Sequence, residues 1–150
     1  QTDRFFQNIL HEQFNTLAGK TITLLGFAFK QDTGDTRDSP AIPLCEKLLG
    51  EHAKVRVHDP KALENARIDL KEMQGDVKFF EDVYEAAEGA HSLALVTQWT
   101  EYRELDFERI FNKMAKPAFI FDGRNHLDHK KLFEIGFNIF PLGKPPLKHV

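Results

Sequence analysis

Three cationic side chains in this sequence follow hydrophobic runs that are typical of buried strands. Lys30 and Arg37 lie in GFAFKQDTGDTR after the run TITLL, and Arg124 lies in DGRN after AFIF. An arginine guanidinium binds phosphate or carboxylate through two parallel hydrogen bonds, whereas a lysine ammonium acts as a compact charge. If the strands are parallel, ligands bind beyond their carboxyl ends, and three cations at that edge fit a diphosphate or an anionic sugar. The alternative is that all three are solvated loop cations.

The acidic residues and glycines next to these cations have structural as well as functional interpretations. Asp35 and Asp122 could hold the arginine side chains or cap loops, and the capping role is favoured for both. Gly34 and Gly123 are expected to supply turn conformations. Asp59 follows a predicted strand, where a dinucleotide-binding domain places its ribose-binding acid, but the pattern G-x-G-x-x-G is absent. We therefore interpret Asp59 mainly as part of an Asp-Pro strand stop.

No catalytic group and no metal centre are expected in this chain. Cys45 lies among the leucines of a predicted helix and is expected to be a small buried residue, not a nucleophile. His126 and His129 are three residues apart, but two lysines follow and no third ligand is evident in the sequence. No Ser-His-Asp arrangement or carboxylate pair stands out either. The candidate residues therefore indicate a site of which this chain supplies only one part, without the catalytic groups.

The composition restricts the class of protein. The chain has 150 residues, enough for one domain with a substantial core. Its net charge of −3 argues against a non-specific nucleic-acid partner or an anionic membrane. A single cysteine favours a cytoplasmic setting, and no apolar run approaches the roughly 18 residues of a membrane span. The chain opens within a helical pattern and without methionine, so we expect it to be a fragment of a longer protein.

Hydrophobic periodicity predicts alternating strands and helices. This alternation is typical of a Rossmann-like, three-layer α/β fold with a mostly parallel sheet of about six strands. The predicted strands cover residues 21–29, 54–60, 77–80, 92–99, 118–123 and 137–143. The predicted helices cover residues 3–15, 40–50, 82–90, 105–114 and 127–136, with a helical or irregular segment at 61–74. The tail after residue 143 is expected to be mobile.

The segments that carry these residues resemble one enzyme family. The stretches GFAFKQDTGDTRDSPAI, VHDP, AAEGAHSLALVTQW and PAFIFDGRN are closely similar to the C-terminal domain of the UDP-glucose/GDP-mannose dehydrogenase family. The resemblance covers about residues 5–143. The form T-G-D-T-R resembles the UDP-glucose enzymes of animals and plants, whereas relatives that act on other sugars tend to carry T-D-D-x-R.

The resemblance implies that the chemistry is divided between two domains. In the family, an N-terminal domain binds NAD, and a C-terminal domain binds the UDP part of the substrate. Phe29, Lys30 and Arg124 would then contact UDP-glucose, and Arg37 would reach across the cleft towards NAD. The family oxidises C6 of the sugar to a carboxylate in two hydride transfers, through a thioester on a cysteine. Cys45 does not match the motif of that cysteine, so the isolated chain is expected to be inactive.

The resemblance also implies domain boundaries and partners. Residues 1–17 would end the helix that links the two domains, residues 18–143 would bind the UDP-sugar, and residues 144–150 would form a tail. The expected partners are UDP-glucose or UDP-glucuronate, the N-terminal NAD-binding domain of the same parent chain, and further copies in a homo-oligomer. Nucleic acid, a membrane and a bound metal are not expected.

Three other functions stay open on the sequence. The parent enzyme could oxidise another UDP-sugar. The chain could be an assembly module that uses a strand edge and an exposed apolar helix face for subunit contacts, the face being formed by Phe5, Ile9, Leu10 and Phe14. The chain could also bind NAD independently, although the absence of G-x-G-x-x-G weighs against this.

Overall fold

The structure, a computed structural model, describes residues 2–12 and 16–150 of the chain. In this part of the chain, six parallel strands form one sheet in the order β3-β2-β1-β4-β5-β6. The strands are β1 (Thr21–Leu25), β2 (Lys54–His58), β3 (Asp76–Phe80), β4 (Ser92–Leu95), β5 (Phe119–Asp122) and β6 (Asn138–Pro141). The helices are α1 (Thr2–Glu12), α2 (Ala41–Gly50), α3 (Leu63–Asp69), α4 (Val83–Ala87), α5 (Phe107–Lys113) and α6 (His129–Ile135). A 3₁₀ turn covers Thr100–Glu104.

Both faces of the sheet are covered by helices. Ile22 and Leu24 of β1 belong to one buried cluster together with residues of α1, α2 and α3, such as Leu44. Leu25 points to the other face, where its cluster includes Ile110 of α5 and residues of α4 and α6. Successive side chains of a strand alternate between faces, so a strand covered on both sides reads as a continuous apolar run. The predicted Rossmann-like α/β fold class is confirmed.

The strands end earlier than their hydrophobic runs. The predicted strands at 21–29, 54–60 and 92–99 stop at Leu25, His58 and Leu95. Phe27 and Ala28 are nevertheless fully buried, at 0% and 1% exposure. The apolar pattern therefore continues into loops that fold over the carboxyl edge of the sheet, and hydrophobicity alone does not reveal where pairing stops.

Helix α1 packs on its own chain. Ile9 is 0% exposed and belongs to the core, where Phe5 and Leu10 also pack as partly buried residues. The helix is further tied to α2 by an ion pair between Asp3 and Lys47 at 2.6 Å. The assembly-module alternative requires this apolar face to be exposed, and Ile9 does not meet that requirement. Phe14, the fourth residue predicted on that face, lies outside the described residues, as does the end of the predicted helix at 13–15.

The C-terminal tail pairs with β6, whereas the sequence predicted a mobile segment. Leu147 and Ile139 of β6 exchange both backbone hydrogen bonds, at 2.8 and 2.9 Å, in an antiparallel bridge. The ring of His149 stacks on that of Phe133, with 4.0 Å between the centroids. The tail is ordered because the outer side of β6 offers it free backbone donors and acceptors. Within the described residues, no helix has both the length and the apolar character to cross a membrane.

Candidate functional site

The order of the strands reverses between β1 and β4, and the last residues of the neighbouring strands lie in one row. Leu25 pairs with His58 of β2 on one side and with Leu95 of β4 on the other, and Leu95 pairs with Asp122 of β5. Strands are spaced by about 4.8 Å, so the loops after β1 and β5 start roughly 10 Å apart. This edge is the one to which the sequence assigned the polar residues.

A cavity of about 300 Å³ opens at this edge beneath α1. Its walls are mainly apolar, and Arg124 contributes a cationic side chain to them. The residues that line it are Phe5, Pro40, Leu44, Leu95, Val96, Gly123, Arg124 and Leu142. Arg124 is exposed to solvent. An apolar cavity bordered by one exposed cation suits a ligand that combines a flat or hydrocarbon surface with negative charge.

The loop after β1 leaves the sheet through Gly26. This residue has φ +99°, and a Cβ placed there would lie 2.5 Å from Cβ of Thr97. Only glycine allows both the backbone conformation and this close approach. The hydroxyl of Thr97 then donates to the carbonyl of Ala28 at 2.8 Å. The ends of β1 and β4 are thereby held together at the point where the strand order reverses.

Phe29 and Lys30 follow this anchored segment and are both exposed. The ring of Phe29 is 46% exposed, an unusual state for a large apolar side chain in this fold. Its backbone N–H donates to the carbonyl of Asp35 at 2.7 Å, which closes the loop on itself. An exposed aromatic ring and an exposed ammonium group thus follow one another in the chain at the carboxyl edge of the sheet. Neither residue lines the described cavity.

Arg37 is held in a defined orientation by Asp35. Its Nε and Nη2 donate to the two carboxylate oxygens of Asp35 at 3.0 and 2.8 Å, while its side chain stays 89% exposed. The guanidinium lowers the pKa of Asp35 to about 2, mainly through these hydrogen bonds. Two of the five guanidinium N–H bonds are used here, which leaves three for a ligand. Asp35 also accepts a hydrogen bond from the backbone N–H of Arg37 at 2.9 Å, so it caps this loop, as the sequence favoured, and orients its arginine as well.

Asp122 caps the loop after β5, as the sequence favoured. Its carboxylate is 0% exposed and accepts hydrogen bonds from the backbone N–H groups of Arg124, His126 and Leu127 at 3.1, 2.8 and 2.9 Å. Nε2 of His129 donates to the same carboxylate at 2.8 Å. Asp122 thus fixes the backbone of Arg124, and the guanidinium of Arg124 stays exposed to solvent.

His126 of this loop and His129, the first residue of α6, both bind groups of the chain itself. Nε2 of His126 donates to the carbonyl of Trp99 at 2.8 Å, and Nε2 of His129 is bound to Asp122. Among the described residues, no three His, Cys, Asp or Glu side chains are grouped so that they could hold a metal ion.

Gly34 and Gly123 lie close to backbone carbonyl groups of neighbouring segments. Neither has a positive φ, contrary to the expectation from the sequence. A Cβ at Gly34 would lie 3.0 Å from the carbonyl oxygen of Lys61, and one at Gly123 would lie 3.0 Å from that of Leu95. The loops after β1 and β5 therefore lie directly against their neighbours.

Cys45 is a buried helix residue, as predicted. Its side chain is 0% exposed, and burial raises the pKa of its thiol to about 12. A thiol that stays protonated in the core is not a nucleophile at neutral pH.

Asp59 has a larger role than the sequence indicated. Its buried carboxylate accepts hydrogen bonds from the backbone N–H groups of Phe27 and Ala28 at 2.7 and 2.9 Å and from the indole of Trp99 at 3.2 Å. It does not face solvent as a ribose-binding acid would. Sequence reasoning also missed the anchoring roles of Thr97 and Trp99, which it placed at the end of the predicted strand 92–99, beyond the observed end of β4 at Leu95.

Comparisons with known proteins agree with this architecture. A model of the UDP-glucose/GDP-mannose dehydrogenase family, UDP binding domain, matches residues 23–129. UDP-glucose 6-dehydrogenase 5 of Oryza sativa subsp. japonica is 44% identical over 163 residues, which cover 97% of this chain and 34% of the relative. UDP-glucose 6-dehydrogenase 1 of Arabidopsis thaliana is also 44% identical, with the same coverage of 97% and 34%. The chain thus spans about a third of the length of these relatives.

Solved structures show the same fold. A UDP-glucose dehydrogenase from the hyperthermophilic archaeon Pyrobaculum islandicum aligns with a TM-score of 0.70 and 29% identity, over 91% of this chain and 30% of its own. An NDP-N-acetyl-D-galactosaminuronic acid dehydrogenase from Methanosarcina mazei Go1 aligns with a TM-score of 0.77 over 95% of this chain and 28% of its own. At 23% identity, the second likeness concerns the fold alone. The family match, the plant relatives and the shared fold together establish that this chain belongs to the UDP-glucose/GDP-mannose dehydrogenase family, as its UDP binding domain.

Proposed function

We propose that this chain binds the nucleotide sugar in an NAD-dependent UDP-glucose 6-dehydrogenase, whose reaction converts UDP-glucose, two NAD and water to UDP-glucuronate and two NADH. The observation that carries the proposal is the exposed Arg124 at an apolar cavity on the carboxyl edge of the sheet. The 44% identity to plant UDP-glucose 6-dehydrogenases supports this substrate over other UDP-sugars.

Each proposed substrate contact uses a different property of its side chain. Arg124 offers a planar fork of donors to a phosphate or to sugar hydroxyls. Lys30 supplies a compact positive charge, and the half-exposed ring of Phe29 offers an apolar surface against which a sugar can pack. Together the three residues would hold the substrate against the sheet edge and leave C6 of the glucose open to a second domain.

Arg37 is the residue of this chain that would contact NAD. The three guanidinium N–H bonds that Asp35 leaves unused fit an anionic or amide group of a dinucleotide. When bound, NAD supplies the acceptor for hydride from the substrate. The rest of the cofactor site and the catalytic cysteine would belong to an N-terminal domain of the same parent chain. The isolated chain is therefore expected to bind substrate without turning it over.

Assembly and location form part of the proposal. We expect the parent enzyme to be a homo-oligomer that works in the cytoplasm. A single buried cysteine supports a reducing compartment.

The proposal is tested by titrating the 150-residue chain with UDP and, separately, with GDP and NAD, while the backbone amide NMR signals are followed. Saturable shifts with UDP at residues 29–30 and 123–124, and weaker or no shifts with GDP and NAD, are expected. A charged hydrogen bond contributes about 1.5–3 kcal/mol, so Arg124→Ala should weaken UDP binding roughly 10- to 100-fold.

Lys54→Ala is the matched control. Lys54 is exposed and begins β2, so it lies at the amino ends of the strands, away from the carboxyl ends that form the site. This variant therefore also removes one positive charge but leaves the site intact. If both variants weaken UDP binding equally, the contribution is general electrostatic attraction and not a contact with Arg124. If the folded chain shows no shifts with millimolar UDP, the proposed site on this domain is wrong.

A further inference from the structure

The buried carboxylate of Asp59 is surrounded by hydrogen-bond donors from three separate segments. Asp59 is 2% exposed. Its Oδ2 accepts from the N–H groups of Phe27 and Ala28 and from the indole of Trp99, at 2.7, 2.9 and 3.2 Å. Its Oδ1 accepts from the N–H groups of two residues that follow Pro60, both at 2.8 Å. Five donors around two oxygens match an ionised carboxylate, which accepts at both oxygens and donates at neither.

Two of these donors, the N–H groups of Phe27 and Ala28, lie in the loop after β1, where a dinucleotide-binding domain binds phosphate. In that type of domain, the backbone N–H groups of the loop after β1 face the pyrophosphate, and the acid after β2 faces the ribose outside. Here the acid after β2 turns inward, and its carboxylate occupies the N–H groups that follow β1. The carboxylate of Asp59 therefore binds N–H groups that, in a dinucleotide-binding domain, would bind the phosphate of the ligand.

We propose that Asp59 is a positioning residue for the nucleotide-sugar site: an internal anion that fixes the base of the loop bearing Phe29 and Lys30. The inference rests on the proposed role of those two residues in binding UDP-sugar. It assigns to Asp59 no contact with the ligand.

The neighbouring hydrogen bonds explain how the effect reaches the site. The carbonyl of Phe27 accepts from the hydroxyl of Ser39 at 2.7 Å, and the carbonyl of Ala28 accepts from Thr97 at 2.8 Å. With Asp59 bound to their N–H groups, both residues have their donor and their acceptor occupied. The rigid part of the loop thus extends to Ala28, and Phe29 is the next residue along the chain.

The chemistry of a carboxylate is required at this position. Asparagine has the same shape, but its NH₂ group would replace one of the two carboxylate oxygens. The N–H donors around that position would then face N–H bonds and lose their acceptor. Alanine would leave five donors without their acceptor and a space that a small carboxylate such as formate can enter. Added formate should therefore reverse the effects of Asp59→Ala on UDP binding and on melting temperature. It should not reverse the effects of removing another buried hydrogen bond.

The experiment compares Asp59→Ala and Asp59→Asn with Thr23→Val in this chain. Thr23 donates from the middle of β1 to the carbonyl of Ala86 at 2.6 Å, so its loss also removes a buried hydrogen bond, but away from the loop. UDP affinity and melting temperature are measured with and without formate. We expect both Asp59 variants to bind UDP at least tenfold more weakly and formate to restore binding by Asp59→Ala. We expect Thr23→Val to keep its UDP affinity and to ignore formate. Unchanged UDP affinity in a folded Asp59 variant, or equal formate effects on Asp59→Ala and Thr23→Val, would overturn the inference.

A measurement on the unmodified chain keeps the test decisive if the Asp59 variants do not fold. Hydrogen exchange at the amides of Phe27 and Ala28 should be as slow as at the central residues of β1, because both amides are bound to a buried carboxylate. Rapid exchange there would contradict the inference. Failure of the unmodified chain to bind UDP would instead refute the proposed function, since slow exchange and the formate effect on melting do not involve UDP.

Discussion

Replacement of Gly26 by alanine tests whether the junction between β1 and β4 depends on the missing side chain. The added Cβ would lie 2.5, 2.6 and 2.7 Å from Cβ, Oγ1 and N of Thr97. These atoms belong to a buried residue beside the backbone, so the clash cannot be relieved by rotation of a flexible side chain. The backbone would also have to hold alanine at φ +99°, away from the left-handed minimum near +57°.

The two effects give the expected loss of stability. A non-glycine residue in the left-handed region costs about 1–2 kcal/mol, and overpacking of a close-packed interior adds about 1–3 kcal/mol. The free energy of unfolding should therefore fall by about 2–5 kcal/mol. For a domain of this size, 1 kcal/mol corresponds to about 2–4 °C, so the melting temperature should fall by roughly 4–20 °C.

Gly19→Ala separates the two contributions, and thermal melting followed by circular dichroism measures them. Gly19 has φ +76°, but the position that a Cβ would take there has no atom within 4 Å, so its substitution imposes backbone strain without the clash. We expect Gly19→Ala to lower the free energy of unfolding by only about 1–2 kcal/mol. Equal melting temperatures for the two variants would refute the argument that contact with Thr97 makes Gly26 necessary.

Two further predictions concern buried polar groups. Asp122→Asn should lower the free energy of unfolding by at least ~2 kcal/mol, because buried N–H groups lose their acceptor, and it should also shift the amide signal of Arg124. Chemical denaturation measures the first effect and NMR the second. An unchanged denaturation midpoint would contradict the capping role of Asp122. Burial lowers the pKa of His58 and His91 below the ordinary 6.5, so the unfolded chain takes up protons at a higher pH than the folded chain. The free energy of unfolding should therefore fall as the pH drops below about 6.5. Denaturation midpoints measured from pH 8 to pH 5 test this expectation. If stability falls equally in a variant with both histidines replaced by glutamine, other groups cause the pH dependence.

The periodicity of hydrophobic residues was sufficient to predict the parallel sheet and the polar residues at its carboxyl edge. Each central strand reads as an apolar run, and each run is followed by polar residues such as Lys30 and Arg124. Alternation of such runs with helices leaves few topologies, because parallel connections are right-handed and short. The roles of Phe29, Lys30, Arg37 and Arg124 as ligand contacts stay predictions.

The contacts that shape the site could not be predicted in the same way. Asp59 binds the N–H groups of residues about 30 positions earlier in the chain, and no local pattern encodes that pairing. Gly34 and Gly123 approach the carbonyl groups of Lys61 and Leu95, and these contacts form only when the chain folds. The burial of Ile9 likewise depends on where α1 docks and not on the amphipathic pattern of the helix itself.

The pairing of Leu147 with Ile139 also determines how the sheet meets other chains. An open sheet has two edge strands, and unpaired backbone groups at an edge invite strand addition and aggregation. At β6, the C-terminal segment occupies part of that edge from within the molecule. At β3, the other edge, Asp76 and Lys78 place exposed charges along the strand, which discourages a neutral partner strand. The two edges are thus protected by different means, one by a segment of the chain itself and the other by charge.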